Sequence, residues 1–462
     1  MRTIIKILLL SITLLLPLLA KAQVNYVLTT NGPVITAAVA NSPSASGNVV
    51  INTYEGYPVT SIEDFAFYNC SSLTGVAIGT NVTYIGNYTF NGCYGLASVT
   101  IDTGAITIGG YAFYGCSGLT SVTLPNSVIS IGHYAFYTCS GLTSVTLPNS
   151  VTNIAPGVFG SCGSLTNIAV AASNPVYSST NGVLFANAQT SLIQFPGGLA
   201  GSYTIPNTVV SIADHAFAAS TSLTNVTIPN SLIIIGTNAF ASCSSLTNVT
   251  LGNSVSTIEY EAFSGCSVLP GITMPNSVTN IGADAFEGCA SLTSVTIPNS
   301  VLSIGDYAFI FSGLTNVTVG SGVVNVGRDA FSNCNGLQQA YFLGNAPYVD
   351  GSLGSSDSSV FSSFGIESGT VYYYAGTSGW GSTFGGWPTM ELLAPPQIYG
   401  ASIQTNSFNF TITGASNQVV IIEASTNLLS WQTIWTNTLS TTSTNFTDSQ
   451  WRSYPRRFYR AY

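Results

Sequence analysis

A phenylalanine returns at a fixed interval along this chain: Phe67, Phe90, Phe113, Phe136 and Phe159, then Phe217, Phe240, Phe263, Phe286, Phe309 and Phe331. Eight of the ten intervals are 23 residues, one is 22 and one is 58. A unit this short cannot enclose a core of its own, so it must stack on copies of itself as a solenoid. The repeat from Leu119 to Cys139 shows how: Leu119, Val122 and Leu124 suit a short strand with one buried face, and Pro125-Asn126 turns the chain. Val128 and Ile131 begin a second side, Gly132 relieves the backbone, and Ala135 with Phe136 fills the corner before Cys139. Other copies keep the pattern, among them Leu142, Val145, Leu147, Val151 and Ile154.

The unit Leu-x-x-Val-x-Leu-Pro-Asn-Ser-Val-x-x-Ile-Gly-x-x-Ala-Phe-x-x-Cys resembles the BspA-type leucine-rich repeat of bacterial surface and secreted proteins, over roughly residues 50–345. The resemblance implies a mainly β fold: a leucine-rich repeat solenoid of about 23-residue coils, followed by a small β-sandwich-like C-terminal domain. It further implies a non-catalytic protein that adheres to or binds another protein or a glycan. The segment from Asn174 through Asn181-Gly182 to Pro196 is similar to the family's irregular repeat, and the interval of 58 then reads as two coils plus twelve residues. Asn181-Gly182 between apolar runs also reads independently as a hairpin turn.

Residues 1–22 carry Arg2, Lys6, an apolar run from Ile7 to Leu19 and Ala20-Lys21-Ala22, the pattern of an export signal cut after Ala22. The apolar run is short for a spanning helix, which needs about 20 residues. Removal of this leader leaves five basic residues, all arginine, against 17 acidic, a net charge of −12. Nucleic acid and anionic membranes are therefore poor partners, and no nucleic acid is expected, since both need clustered positive charge. Charged residues make up 5% of the chain, so Ser, Thr, Asn and Gly must supply solubility.

The expected organisation is a leader over 1–22, an N-terminal β cap over 23–60, the array over 61–345 with its irregular repeat at 171–205, a cap over 346–392 and a β domain over 393–462. In the cap, Thr370–Tyr374, Trp380, Phe384 and Trp387 would cover the last coil. The final domain, with Ile422–Leu428, Trp431, Phe446–Asp448 and Arg457–Arg460, resembles a module of secreted proteins from Verrucomicrobia-like bacteria. That resemblance implies sorting or surface retention; an ordinary β sandwich with a basic final strand, bearing Arg452, Arg456, Arg457 and Arg460, is the other reading. A competing function follows: an envelope or matrix protein whose array spaces this domain.

No metal or cofactor is expected. The nine cysteines each follow a repeat phenylalanine by three residues and form a ladder, which Ser220 and Phe311-Ser312 interrupt. Without Cys-x-x-Cys or Cys/His clusters they are not zinc ligands, and they read as buried free thiols. The two histidines, His133 and His215, are expected at exposed turns, and only Arg328 supplies a basic group within the array.

Two surface patterns are candidate sites. Residues alternating with the buried strand positions must point outward. They include Ser121, Thr123, Ser144, Thr146, Asn225, Thr227, Asn248, Thr250, Ser294 and Thr296, a neutral hydroxyl-rich face. Such a face either presents hydrogen bonds to a ligand or reflects the strand propensity of threonine. The second pattern is acidic: Asp214, Glu259, Glu261, Asp284, Asp306 and Asp329 lie two to four residues before a repeat phenylalanine and should line one edge of the C-terminal half. That edge either is solvated or holds cations loosely. Because outward residues hardly change from coil to coil, a specific site is expected at the departures, residues 171–205 and the acidic edge.

Overall fold

The computed structural model describes residues 24–31, 34–39, 44–349, 352–353, 360–362, 369–393, 396–404 and 407–462. The leader and parts of both caps lie outside them. The chain divides into two compact units, Met1–Leu246 and Thr247–Tyr462.

Each regular coil has two short strands, and each strand pairs in parallel with its counterpart in the next coil. Ser121–Thr123 pairs with Ser144–Leu147, setting Val122 against Val145, while Ser130–Ile131 pairs with Asn153–Ile154, setting Ile131 against Ile154. In the first unit these pairings build one sheet from the strands of the Leu-x-x-Val-x-Leu segment and a second from the Ile-Gly side. At the N-terminal end Tyr26–Asn31 and Val34–Val39 form an antiparallel pair that docks in parallel on Tyr57–Ile62.

The phenylalanines fill the space between. Phe67, Phe90, Phe113 and Phe136 stack face to face at centroid distances of 5.0–5.1 Å, close to the strand spacing of about 4.8 Å. In the second unit Phe263, Phe286, Phe309 and Phe331 do the same, and the stack runs on through Phe361 to Trp387 outside the repeat spacing. Phe342 is enclosed by Trp380 and Phe384. Gly132 serves a different purpose from a left-handed turn: a Cβ there would lie 2.4 Å from the Gly110 nitrogen, so glycine lets the coils approach.

The nine cysteines are free and buried. Each thiol has a partner as well as a corner to fill: Cys93 Sγ donates to the Phe67 carbonyl at 3.1 Å, and Cys116, Cys139 and Cys162 repeat the contact one coil further on. Burial pushes Cys93, Cys162, Cys243 and Cys289 up to about 12.

An antiparallel segment interrupts the parallel coils within the interval of 58 residues. Tyr177–Thr180, Val183–Ala186 and Ser191–Gln194 form an antiparallel meander, turning at Asn181-Gly182 with both residues at positive φ, and the last strand then pairs in parallel with Ser211–Ile212. On the turn edge Ser161 N–H donates to the Ala218 carbonyl, so the coil of Phe217 lies directly against that of Phe159. The meander replaces coils because Asn-Gly reverses the chain where a regular repeat would carry it forward.

Residues 397–462 form two three-stranded antiparallel sheets around a core of their own, built from Phe410, Ile412, Val420, Ile422, Leu439 and Phe446. The final strand, Phe458–Ala461, carries Arg460 alone of the four arginines.

Replacing Phe136 by Ala removes a fully buried ring stacked on both sides. It should lower unfolding stability in urea by about 3–5 kcal/mol. A change below about 1 kcal/mol would show that the stack is not what holds the coils. Thiol titration of the native protein near pH 8 should find the cysteines unreactive and denaturant should expose all nine; rapid labelling of the native state would contradict the buried ladder.

Candidate functional site

The strand face follows from side-chain alternation. Ser121 and Thr123, Ser144 and Thr146, and Ser294 and Thr296 are exposed, each pair flanking a buried valine, with Asn225 half-buried beside exposed Thr227. Neighbouring coils hold the columns in register, Ser121 opposite Ser144 and Thr123 opposite Thr146.

The face is interrupted once in the second unit. Ser294–Ile297 pairs with Asn316–Val319 on one side only and ends its sheet, although the other half of the preceding coil, Asn280–Ile281, pairs on both sides. The cause is in the sequence: Pro270 stands where other coils have a threonine whose N–H donates across coils, as Thr315 donates to the Thr293 carbonyl, and proline has no N–H to give. Gly271 follows, and a Cβ on it would meet no atom within 4 Å, whereas at Gly75, in the same column, it would lie 2.4 Å from Asn48. The coils have parted here. A groove of about 630 Å³ results, walled by Asn248, Thr273, Ser294 and Thr296 over a floor that includes Val249, Ile272 and Met274. No charged residue lines it.

The acidic residues are shared between the two units. Asp214 belongs to the first unit and the other five to the second. Asp306 accepts a hydrogen bond from the Arg328 N–H at 2.9 Å, which caps the next coil, and Asp329 accepts one from the Ser362 hydroxyl. Around Asp284 lie Glu261, Asp306 and also Glu287, which the sequence reading passes over. Burial first, then these neighbours, raise Asp284 to about 6. Among the described residues no group of three or more His, Cys, Asp or Glu is arranged to hold a metal ion. In the irregular stretch, Asn174 is occupied by backbone: its Nδ2 donates to the carbonyls of Pro148 and Val151, and its Oδ1 accepts from the N–H groups of Val176 and Tyr177.

Both histidines lie on turns, His133 exposed as expected and His215 half-buried. His215 Nε2 lies 2.6 Å from the Tyr134 hydroxyl, and its ring packs edge-on against Tyr134 and Tyr137. It ends an aromatic file that sequence reasoning missed: Phe65, Tyr88, Tyr111 and Tyr134, each two residues before a repeat phenylalanine, with centroids 4.6–5.0 Å apart. The available signal was the 23-residue recurrence of tyrosine. All four have positive φ near 55–60°. Such a backbone costs a side-chain-bearing residue on the order of 1–2 kcal/mol, which ring stacking at about 0.5–1.5 kcal/mol per pair largely offsets.

The model of the BspA type leucine rich repeat region matches residues 60–190, 194–309 and 268–368, in six copies. Among solved structures, a leucine-rich repeat protein from Eubacterium ventriosum is 24% identical with a TM-score of 0.53, covering 67% of this chain and 92% of its own. The pneumococcal vaccine antigen PcpA is 20% identical with a TM-score of 0.54, covering 80% of this chain and 97% of its own. No curated protein matches the chain.

A carboxyl whose pKa is higher folded than unfolded stabilises the fold below its unfolded value, and that contribution is lost as pH rises through the folded value. For Asp284 the loss runs from 3.8 to about 6. Asp284→Asn should therefore melt above the wild type at neutral pH, with the difference closing as the pH is lowered toward 4. Equal melting temperatures at neutral pH would remove this account of the acidic patch.

Proposed function

The chain belongs to the BspA-type leucine-rich repeat family, and from that premise we propose that it is an exported, non-catalytic protein that binds a protein or glycan at the bacterial surface through the strand face of its array. The groove at Gly271 carries this reading. It is the break in the strand face of the second unit, and Asn248, Ser294 and Thr296 of the hydroxyl columns contribute to its walls. A concave site with polar walls and an apolar floor suits an uncharged ligand surface. The flanking columns repeat the same neutral groups coil after coil, which favours many weak contacts alongside the one shaped site.

Export draws support from Arg2, Lys6, the apolar run Ile7–Leu19 and Ala20-Lys21-Ala22. Among the described residues no helix is long and apolar enough to cross a membrane. The absence of catalysis draws support from the histidines, both taken up in aromatic packing: His133 sits edge-on to Tyr111, and His215 is bonded to Tyr134. The alternative role, an array that spaces a retention domain, is favoured by the separate core of residues 397–462.

The test is a binding screen of the mature chain against immobilised matrix proteins and neutral glycans, repeated with Gly271→Arg. The open space at Gly271 should accept arginine with a stability change within about 0.5 kcal/mol. Selective binding lost in the variant supports the strand-face reading; binding unaffected by the arginine, or none to any probe, favours the spacer.

A further inference from the structure

We propose that the C-terminal β region holds a pocket for a carboxylated sugar, with Arg457 receiving the carboxylate. This goes beyond the strand-face reading and does not depend on it. The pocket is a cavity of about 190 Å³ whose lining includes Thr426, Ser430, Trp431, Gln432, Tyr454 and Arg457.

Arg457 is the unusual member. Its side chain is only 9% exposed, and its Nη1 lies 3.2 Å from Asp448 Oδ2, so its charge is balanced. The same nitrogen is nevertheless buried without a hydrogen-bond partner. Asp448 also serves other donors: Oδ1 accepts the Gln450 N–H and Oδ2 accepts the Tyr459 hydroxyl, each at 2.8 Å. Arg460 shows the contrast. Its Nε and Nη2 both donate to Glu423 Oε2, at 2.8 and 2.6 Å, and its guanidinium covers Trp431 at 4.4 Å. Arg460 thus has its hydrogen bonds within the fold, whereas Arg457, which lines the cavity, keeps a buried donor without one. A buried donor left unfilled is unfavourable, and a ligand oxygen would relieve it.

The chemistry of the ligand follows from the walls. Tyr454 lies against the Arg457 guanidinium at 4.2 Å and fixes its plane, and a planar guanidinium matches a carboxylate. The hydroxyls of Thr426 and Ser430 and the Gln432 amide suit a polyhydroxylated ring beside the aromatic surfaces of Trp431 and Tyr454. The cavity falls below the roughly 300 Å³ of pockets for drug-sized ligands, so it fits a terminal sugar rather than a chain interior. Charge agrees: residues 393–462 hold four arginines against Glu423 and Asp448, while the rest of the chain has four basic residues against 15 acidic. An anion is drawn to this region and repelled elsewhere.

The test is calorimetric titration of the full mature chain with D-galacturonate, D-galactose and acetate at equal ionic strength. Saturable binding of galacturonate is expected, weakened about tenfold or more in Arg457→Gln. Thr426→Ile, which fills the cavity and leaves the Arg457–Asp448 pair in place, should weaken it as much with the melting temperature preserved, and it decides the matter if Arg457→Gln unfolds. Gly271→Arg should bind galacturonate like the wild type, which separates this pocket from the array groove. The proposal is overturned if the wild type ignores galacturonate, if galactose or acetate binds as tightly, or if Thr426→Ile binds unchanged.

Discussion

Hydrogen bonds between successive coils set the spacing on which everything else in the array rests. Phe113 N–H donates to the Ala135 carbonyl at 2.7 Å, and the rings of Phe113 and Phe136 consequently lie 5.1 Å apart, at stacking distance. The same spacing delivers Cys139 Sγ to the Phe113 carbonyl and leaves no room for a Cβ at Gly132. Phenylalanine, cysteine and glycine recur together because one repeat distance imposes a condition on each of them: stacking, a weak donor, and close approach.

The outward groups inherit this order, and departures from it carry the chemical interest. Where Pro270 removes a donor the strand ladder parts and a groove opens, while Asn280–Ile281 on the other side of the same coil stays paired. At the corner two residues before each phenylalanine the left-handed backbone is kept while the side chain changes: aromatic at Tyr88, Tyr111 and Tyr134, acidic at Glu261, Asp284 and Asp329. Stacking neutral rings brings a gain, but gathering carboxylates raises Asp284. One corner therefore holds the first unit together and places electrostatic tension in the second.

Much of this was legible in the chain itself. The strands around Val122 and Ile131, the buried thiols, the exposed Ser and Thr columns and the Asn181-Gly182 turn all follow from alternation, period and turn chemistry, which are local. The segment Tyr177–Gln194 was read as an irregular repeat with a hairpin turn at Asn181-Gly182, but its three-stranded antiparallel pairing follows from contacts that the turn alone does not fix. His215 was assigned to an exposed turn because Tyr134, its partner, is 81 residues away in sequence. Pro270-Gly271 was passed over as a departure, and the width of the opening depends on neighbouring coils that a single repeat does not describe.

The sequence by itself determined the repeat distance, the identity of the buried face and the neutrality of the exposed one, because each depends on residue type at a fixed interval. The tertiary structure decided where that regularity fails and which polar groups remain unspent. Arg457 and Arg460 read alike as two arginines near the C-terminus. They differ in how each guanidinium meets its carboxylate: Arg460 donates twice to Glu423 Oε2, whereas Arg457 Nη1 forms an ion pair with Asp448 Oδ2 at 3.2 Å without a hydrogen bond. The angle at which a guanidinium meets a carboxylate is a property of packing in three dimensions, and no spacing along the chain encodes it.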